Sequence, residues 1–103
     1  MTAEVMRVQT TLPSDWIEAF VGEFKLNLLD AGASCVEHEA IQSMYKWEGK
    51  VQSEREWRIV TTTNALHLEA VIEAIVEHHP YEVPQLLTWP VTAHSSYAQW
   101  IHS

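Results

Sequence analysis

A run of β-forming residues between Cys35 and Thr63 constrains the fold of this chain more than any other feature. The run is rich in β-branched and aromatic side chains, and its one short polar break is Glu48-Gly49-Lys50. Gly49 is the only glycine in the run, and glycine favours the backbone geometry of a tight hairpin turn. The pattern therefore predicts two long antiparallel strands, each of about a dozen residues, joined at Gly49.

A hairpin of this length needs another surface to pack against. At ~3.3 Å per residue each arm would reach roughly 40 Å, and a bare two-stranded ribbon is only marginally stable in water. The arms also carry Tyr45, Trp47 and Trp57, which one small domain can hardly cover along the full length. Because most soluble oligomers are symmetric assemblies of identical chains, we expect this chain to associate with copies of itself.

The composition fits one ordered domain over residues 1–103 and argues against several kinds of partner. The chain is 47% hydrophobic with only three glycines, which is typical of a globular protein. Its net charge of −8 argues against nucleic acid, which needs a basic face. No apolar run approaches the ~20 residues that span a bilayer, and the N-terminus lacks a secretory pattern, so no membrane association is expected. A single cysteine fits a reducing compartment, which predicts a cytoplasmic protein.

A strand and a helix are predicted before the hairpin. Val5–Thr11 has the character of a short strand. A helix is expected from Trp16, capped by Ser14 or Asp15, and Gly32 is well placed to end it. The apolar face of this helix would comprise Ile17, Phe20, Val21, Phe24, Leu28 and Ala31.

Three further elements are predicted after the hairpin. The apolar period of 3.6 residues from Leu68 predicts a helix that Pro80 stops. Gln85–Val91 predicts a short strand, and Pro90 near its end favours an edge position or the end of the strand there. Ser95 and the next serine would cap a last short helix. The order strand, helix, strand, strand, helix, strand, helix predicts an α+β fold, a ferredoxin-like plait (βαββαβ plus a short C-terminal helix) with a long central β-hairpin.

Four sequence blocks carry a resemblance to a known family. The blocks are Ala33–Val36, Tyr45–Lys50, His79–Pro84 and Tyr97–Trp100. In order and separation they resemble the signature blocks of the CutA family, the divalent-cation tolerance proteins. The resemblance implies a ferredoxin-like fold assembled as a tight homotrimer, similar in architecture to the P-II signalling proteins. It also implies a role in tolerance of copper and other divalent metals.

The chain departs from the family pattern at positions that matter for metal binding. Metal-binding members carry a cysteine in the first strand where this chain has Thr10, a far poorer ligand for a soft metal. The family's aspartate after the proline of the following turn is Ser14 here. His78 and His79 do match the His-His-Pro-Tyr form seen in some members. The resemblance thus points to these two histidines as candidate ligands for copper or another divalent cation.

Each candidate site residue also has a plain structural interpretation. His79 could pack in a core or an interface, and His78 could be a solvated cation near a helix C-terminus. Cys35 is expected to be a small buried residue at a helix-to-strand junction. The glutamates at 37, 39, 54 and 56 are interpreted as a solvated face of the hairpin. Further candidates for a ligand cleft or an interface between subunits are Tyr45, Trp47, Glu48, Lys50, Trp57, Tyr81, Glu82 and Trp100.

No catalytic motif supports an enzyme. The chain lacks a glycine-rich phosphate loop, a G-x-S-x-G elbow and an H-E-x-x-H pair. We therefore predict a homotrimer that binds an ion or a small ligand at clefts between subunits. The alternative is a P-II-like signalling or scaffold trimer that binds a protein partner. P-II proteins bind partners through a long loop between the middle strands, and the short Glu48-Gly49-Lys50 turn offers no such loop.

Overall fold

The computed structural model describes all residues from 1 to 103 and contains one antiparallel sheet and three helices. The elements in chain order are β1 (Thr2–Pro13), α1 (Glu18–Asp30), β2 (Cys35–Trp47), β3 (Lys50–Thr63), α2 (Leu68–His78), β4 (Leu87–His94) and α3 (Ser95–His102). The strand order is β2-β3-β1-β4. This order and the connections confirm the predicted ferredoxin-like plait. None of the helices is long and apolar enough to cross a membrane.

The long hairpin forms as predicted and extends well beyond the rest of the sheet. Trp47 pairs with Lys50 across a two-residue turn, and both turn residues have positive φ, 51° at Glu48 and 78° at Gly49. Two consecutive positive φ values match the type I′ turn that suits the twist of a hairpin. Strand β1 pairs with β3 only as far as Pro13 and Glu56. Beyond that row, the arms of the hairpin pair only with each other.

The main core lies between one face of the sheet and the helices α1 and α2. Alternate side chains of β1 and β3 point to this face, so the strands contribute every second residue. The buried core comprises Val8, Leu12, Val21, Phe24, Leu28, Ala33, Ile59, Val71, Ala74 and Ile75. A smaller cluster joins α3 to the sheet, where Ala98 and Ile101 pack against Val5.

The predicted start of α1 is wrong. The helix begins at Glu18, and Ile17 precedes it in an extended conformation with no side-chain cap. Residues after Pro13 instead form a turn in which the Trp16 N–H donates to the Pro13 carbonyl at 3.1 Å. Of the predicted apolar face, Val21, Phe24 and Leu28 are buried, whereas Ile17 and Phe20 are more than half exposed.

Three other sequence expectations need correction. The cap of α3 is His94, whose side chain accepts a hydrogen bond from the Ser96 N–H, and Ser95 already lies inside the helix. The glutamates of the hairpin are not all solvated, because Glu56 is buried. Cys35 is only half-buried at the start of β2. The predicted edge position of the strand that contains Pro90 is confirmed.

Candidate functional site

A cleft of about 900 Å³ lies between the hairpin and the segment 80–85 that follows α2. Its residues come from the two hairpin strands, from the end of β1 and from that segment. They are Thr11, Ser43, Met44, Tyr45, Trp47, Gln52, Glu54, Glu56, Pro80, Tyr81, Glu82, Val83 and Gln85. The structure thus brings together Tyr45, Trp47, Tyr81 and Glu82, which the sequence had singled out.

His79 positions the wall of the cleft that lies opposite the hairpin. Its Nε2 is 2.7 Å from the Thr11 carbonyl oxygen, and its Nδ1 accepts a hydrogen bond from the Tyr81 N–H at 3.0 Å. Since Nδ1 accepts, the neutral ring carries its proton on Nε2 and donates it to the carbonyl. The ring also packs edge-on against Phe24. Strand β4 pairs with β1 only from Thr2 to Gln9, so these bonds dock the segment on a stretch of β1 that β4 leaves free.

The environment of His79 favours its neutral form. Burial lowers the pKa of the imidazole, although the hydrogen bond to the Thr11 carbonyl and the nearby Glu56 carboxylate act in the opposite direction. A protonated ring would carry a proton on Nδ1 and could no longer accept from the Tyr81 N–H. The neutral ring therefore holds the docked segment in place.

The glutamates of β3 point into the cleft because of strand alternation. Glu54 and Glu56 alternate with Trp57 and Ile59, which face the main core, so the carboxylates lie on the opposite face of the sheet. Glu56 is only 9% exposed. Sequence reasoning missed this residue because its burial depends on the distant segment after α2.

These carboxylates contribute to raised pKa values of the two tyrosines in the cleft. Desolvation raises the pKa of Tyr81 to about 12, and the charges of Glu56 and Glu54 add to the effect. Desolvation also raises the pKa of Tyr45, with further contributions from Glu54 and then Glu56. Both phenols therefore remain neutral at physiological pH.

The structure places the other hairpin candidates outside this cleft. Glu48 and Lys50 lie at the exposed turn. Trp57 faces the main core, where its Nε1–H donates to the Trp16 carbonyl at 3.0 Å and its ring meets His38 edge-on.

The remaining candidates lie on helices or at their ends. Trp100 is 53% exposed on α3, beside Tyr97. His78 is the last residue of α2, with its Nε2 3.9 Å from the Glu77 carboxylate.

The residues of one chain do not form a metal centre. No group of three or more His, Cys, Asp or Glu side chains is placed to hold an ion. Both ring nitrogens of His79 already have partners, and Thr10, which stands at the family's cysteine position, lies 3.1 Å from His79 Nε2. A preformed copper or zinc site needs three or four converging ligands, so His78 and His79 do not supply one alone.

The fold and the cleft define a class of protein: a ferredoxin-like plait whose long hairpin overhangs an acidic cleft lined by aromatic residues. Residues 8–103 match the family described as CutA1 divalent ion tolerance protein. The chain belongs to this family, as its sequence blocks had indicated.

Sequence relatives agree with this assignment. The divalent-cation tolerance protein CutA of Escherichia coli strain K12 / DH10B is 39% identical over 62 residues, which are 59% of this chain and 55% of that protein. The chain thus spans little more than half the length of the curated relatives it matches.

Solved structures share the fold over almost the whole chain. CutA1 from Pyrococcus horikoshii has a TM-score of 0.83 at 28% identity and matches 94% of each chain. CutA from Synechococcus elongatus PCC7942 has a TM-score of 0.85 at 23% identity, over 99% of this chain and 93% of that one. A protein from Archaeoglobus fulgidus with a TM-score of 0.84 at 22% identity, over 97% of this chain and 96% of that one, is described as a periplasmic divalent cation tolerance protein CutA.

Proposed function

We propose that this protein acts in divalent-cation tolerance as a non-enzymatic homotrimer. The observation that carries the proposal is the shape of the sheet, which ends in two free edges and a projecting hairpin. Strands β2 and β4 are the edges, and each presents a row of backbone groups without a partner on its outer side. Exposed edges of this kind favour pairing with another chain.

The two edges differ, so their pairing between copies is heterologous. Contacts of this type close into a ring when the rotation between copies allows it, and three copies are what the family resemblance implies. Leu87, Trp89 and Val91 support this arrangement, because they alternate along β4 and are 36–49% exposed on one face. An apolar face beside an unpaired edge is suited to burial against a neighbouring subunit.

A metal ion would require ligands from more than one subunit. His78 is the candidate with freedom to bind, because its side chain is 40% exposed at the end of α2 and its only close charged neighbour is Glu77. His79 would first have to release the Thr11 carbonyl or the Tyr81 N–H. We therefore propose that His78 is the principal histidine ligand for copper or another divalent cation.

The assembly is tested by light scattering on the purified protein. The expected mass is three times 11.8 kDa, and a stable monomer at micromolar concentration contradicts the proposal. Leu87→Lys places a charge beside the free edge of β4 and should break the trimer. Val76→Lys adds the same charge on α2, where the side chain is 57% exposed, and should leave the mass unchanged.

The metal ligands are tested by titration calorimetry with Cu(II) and Zn(II). We expect His78→Ala to weaken binding at least tenfold, and His38→Ala, which alters a ring beside Glu18, to serve as the control. Unchanged heats in both His78→Ala and His79→Ala would remove these residues from the metal site.

The P-II-like alternative has no structural support from the hairpin turn, which contains only two residues between Trp47 and Lys50.

We propose a cytoplasmic location, because the one cysteine, Cys35, has no partner for a disulfide within the chain. Cell fractionation tests this location, and recovery in the periplasm would contradict it.

A further inference from the structure

A groove of about 200 Å³ opens on the helical side of the molecule, between α1 and the last residue of α2. Phe24, only 2% exposed, forms its floor. The ring of Trp16 meets those of Phe24 and Phe20 edge-on, with centroids 6.1 and 6.3 Å apart. The polar residues of the groove are Glu23, Asn27 and His78. Because the glutamate and the histidine are exposed, the groove has an aromatic interior and a polar rim.

None of the surfaces that the proposed homotrimer uses contributes to this groove. The helices α1 and α2 cover the face of the sheet to which the core residue Val8 points. Val8 pairs with Thr88, so the odd-numbered residues of β4, which include Trp89, point to the opposite face. That apolar face, the edges of β2 and β4 and the hairpin supply no residue to the lining of the groove.

The two helices that border the groove are strongly acidic. They carry one lysine and six exposed carboxylates, three on each helix: Glu18, Glu23, Asp30, Glu69, Glu73 and Glu77. Glu23 lines the groove, whereas the one lysine, Lys25, lies about 200° around the helix from it. The Glu77 carboxylate is 3.9 Å from His78 at the rim. Complementary charge steers association, so the partner that fits this surface is positively charged.

The size and the lining of the groove specify which cation fits. A volume of about 200 Å³ is below the range of about 300–1,000 Å³ for small-molecule sites. An aromatic interior beneath an acidic rim suits one side chain with an apolar stem and a cationic head. Arginine meets these conditions best, because its planar guanidinium stacks on aromatic rings and donates several hydrogen bonds, here to Glu23 and Asn27. Ile17 and Phe20, 58% and 53% exposed, offer apolar surface to residues beside that arginine.

We propose that this groove docks an arginine side chain of another protein, presented on a segment that is basic and apolar. The guanidinium pairs with the Glu23 carboxylate, and the stem packs over Phe20 and Phe24. Arginine packed among aromatic residues is typical of the few contacts that carry most of the binding energy of an interface. The inference depends neither on the proposed trimer nor on metal binding.

The inference is tested by NMR titration of the whole chain with the synthetic peptide acetyl-Gly-Leu-Arg-Leu-Gly-amide. We expect saturable shifts of the backbone amide signals of Phe20, Glu23 and Asn27, with one site per chain. The same peptide with citrulline in place of arginine keeps the shape without the charge and should bind at least tenfold more weakly. EDTA in the buffer keeps metal ions from His78, which lines the groove and is the proposed metal ligand.

Two matched pairs of variants locate the site. Phe20→Ala removes an aromatic wall and should weaken peptide binding at least fivefold. Leu26→Ala shortens a 62% exposed side chain of the same helix outside the groove and should change the affinity less than twofold. Glu23→Gln should weaken binding at least threefold, whereas Glu69→Gln removes the same charge from the first turn of α2 and should change the affinity less than twofold. All four side chains are exposed, so the fold should be retained.

Three results would overturn the proposal: no saturable shifts with the arginine peptide, equal binding of the citrulline peptide, or equal affinities within either pair of variants. A protein that is trimeric and binds Cu(II) but not the arginine peptide refutes this inference alone. A monomer that binds the arginine peptide refutes only the proposed assembly.

Discussion

Replacement of the three glycines by alanine tests the backbone geometry of this fold, because each replacement changes the free energy of unfolding for a different structural reason. Gly32 has φ +117°, and a Cβ atom built there would lie 2.6 Å from Cγ of His67. Gly49 has φ +78° at the hairpin turn, with nothing within 4 Å of an added Cβ. Gly22 lies inside α1 without a positive φ, and its added Cβ would also meet nothing within 4 Å.

The expected changes in stability follow from these geometries. Gly49→Ala carries only the strain of a positive φ, about 1–2 kcal/mol. Gly32→Ala carries that strain and also an overpacking cost of about 1–3 kcal/mol, because Cβ of His67 would lie 2.7 Å from the new Cβ and no side-chain rotation moves it away. Gly22→Ala should stabilise the protein by about 0.5–1 kcal/mol, since alanine is the better helix former.

The assay is thermal unfolding followed by circular dichroism, with all variants at one protein concentration because association raises apparent stability. At about 4–8 °C per kcal/mol for a domain of this size, Gly32→Ala should lower the midpoint by roughly 10–30 °C. Gly49→Ala should lower it by less than half of that, and Gly22→Ala should raise it.

A second substitution separates the clash from the strain. His67→Gly removes every atom that the new Cβ would meet, at an N-cap position that tolerates glycine. In that background the cost of Gly32→Ala should fall by the overpacking part, about 1–3 kcal/mol, while the strain of its φ of +117° remains. If Gly32→Ala is no more destabilising than Gly49→Ala in the original chain, the argument from the His67 contact is refuted.

Other consequences of the structure can be measured directly. Burial lowers the pKa of His79 below 6.5, so as pH falls the unfolded chain binds a proton at this residue before the folded protein does. The contribution of His79 to stability should therefore be lost as pH falls below 6.5 through the folded pKa. Urea unfolding across this range should show the loss, and His79→Gln should lack it. Tyr81, with a pKa of about 12, should ionise in the folded protein at a higher pH than an ordinary tyrosine. The free energy of unfolding should therefore fall as pH rises from 10 to 12. A phenolate absorbance change that is complete at pH 10 contradicts this. Trp57→Phe removes the hydrogen bond to the Trp16 carbonyl and should cost about 1 kcal/mol in chemical denaturation; an unchanged midpoint would show that the bond contributes nothing.

The hairpin could be predicted because its signals are local. The β-rich arms and the Glu48-Gly49 turn lie next to each other in the sequence, and the turn alone sets the register of the two strands. The start of α1 could not be predicted in the same way. Asp15 has the residue type of a cap, but the backbone bond from Trp16 to the Pro13 carbonyl places it in a turn outside the helix.

The acidic cleft depends on contacts between distant parts of the sequence. Its wall is docked by the bond from His79 to the Thr11 carbonyl, and these residues are 68 positions apart. The pattern of β3 indicates that Glu56 faces away from the core, but it does not indicate that another segment covers that face. Tyr81 and Glu82 were named from the sequence as cleft candidates and belong to the block His79–Pro84 that carries the family resemblance.

Strand β1 stops supporting the hairpin at Glu56, so the rest of the hairpin can tilt as one arm about this row. Six residues of each arm, from Gln42 to Trp47 and from Lys50 to Arg55, extend past the last row that β1 supports, a length of about 20 Å. A tilt of about 10° at the base of such an arm displaces its tip by about 3–4 Å, so any event that moves the base is magnified at the tip. Glu56, which is buried, lies at the base of this arm.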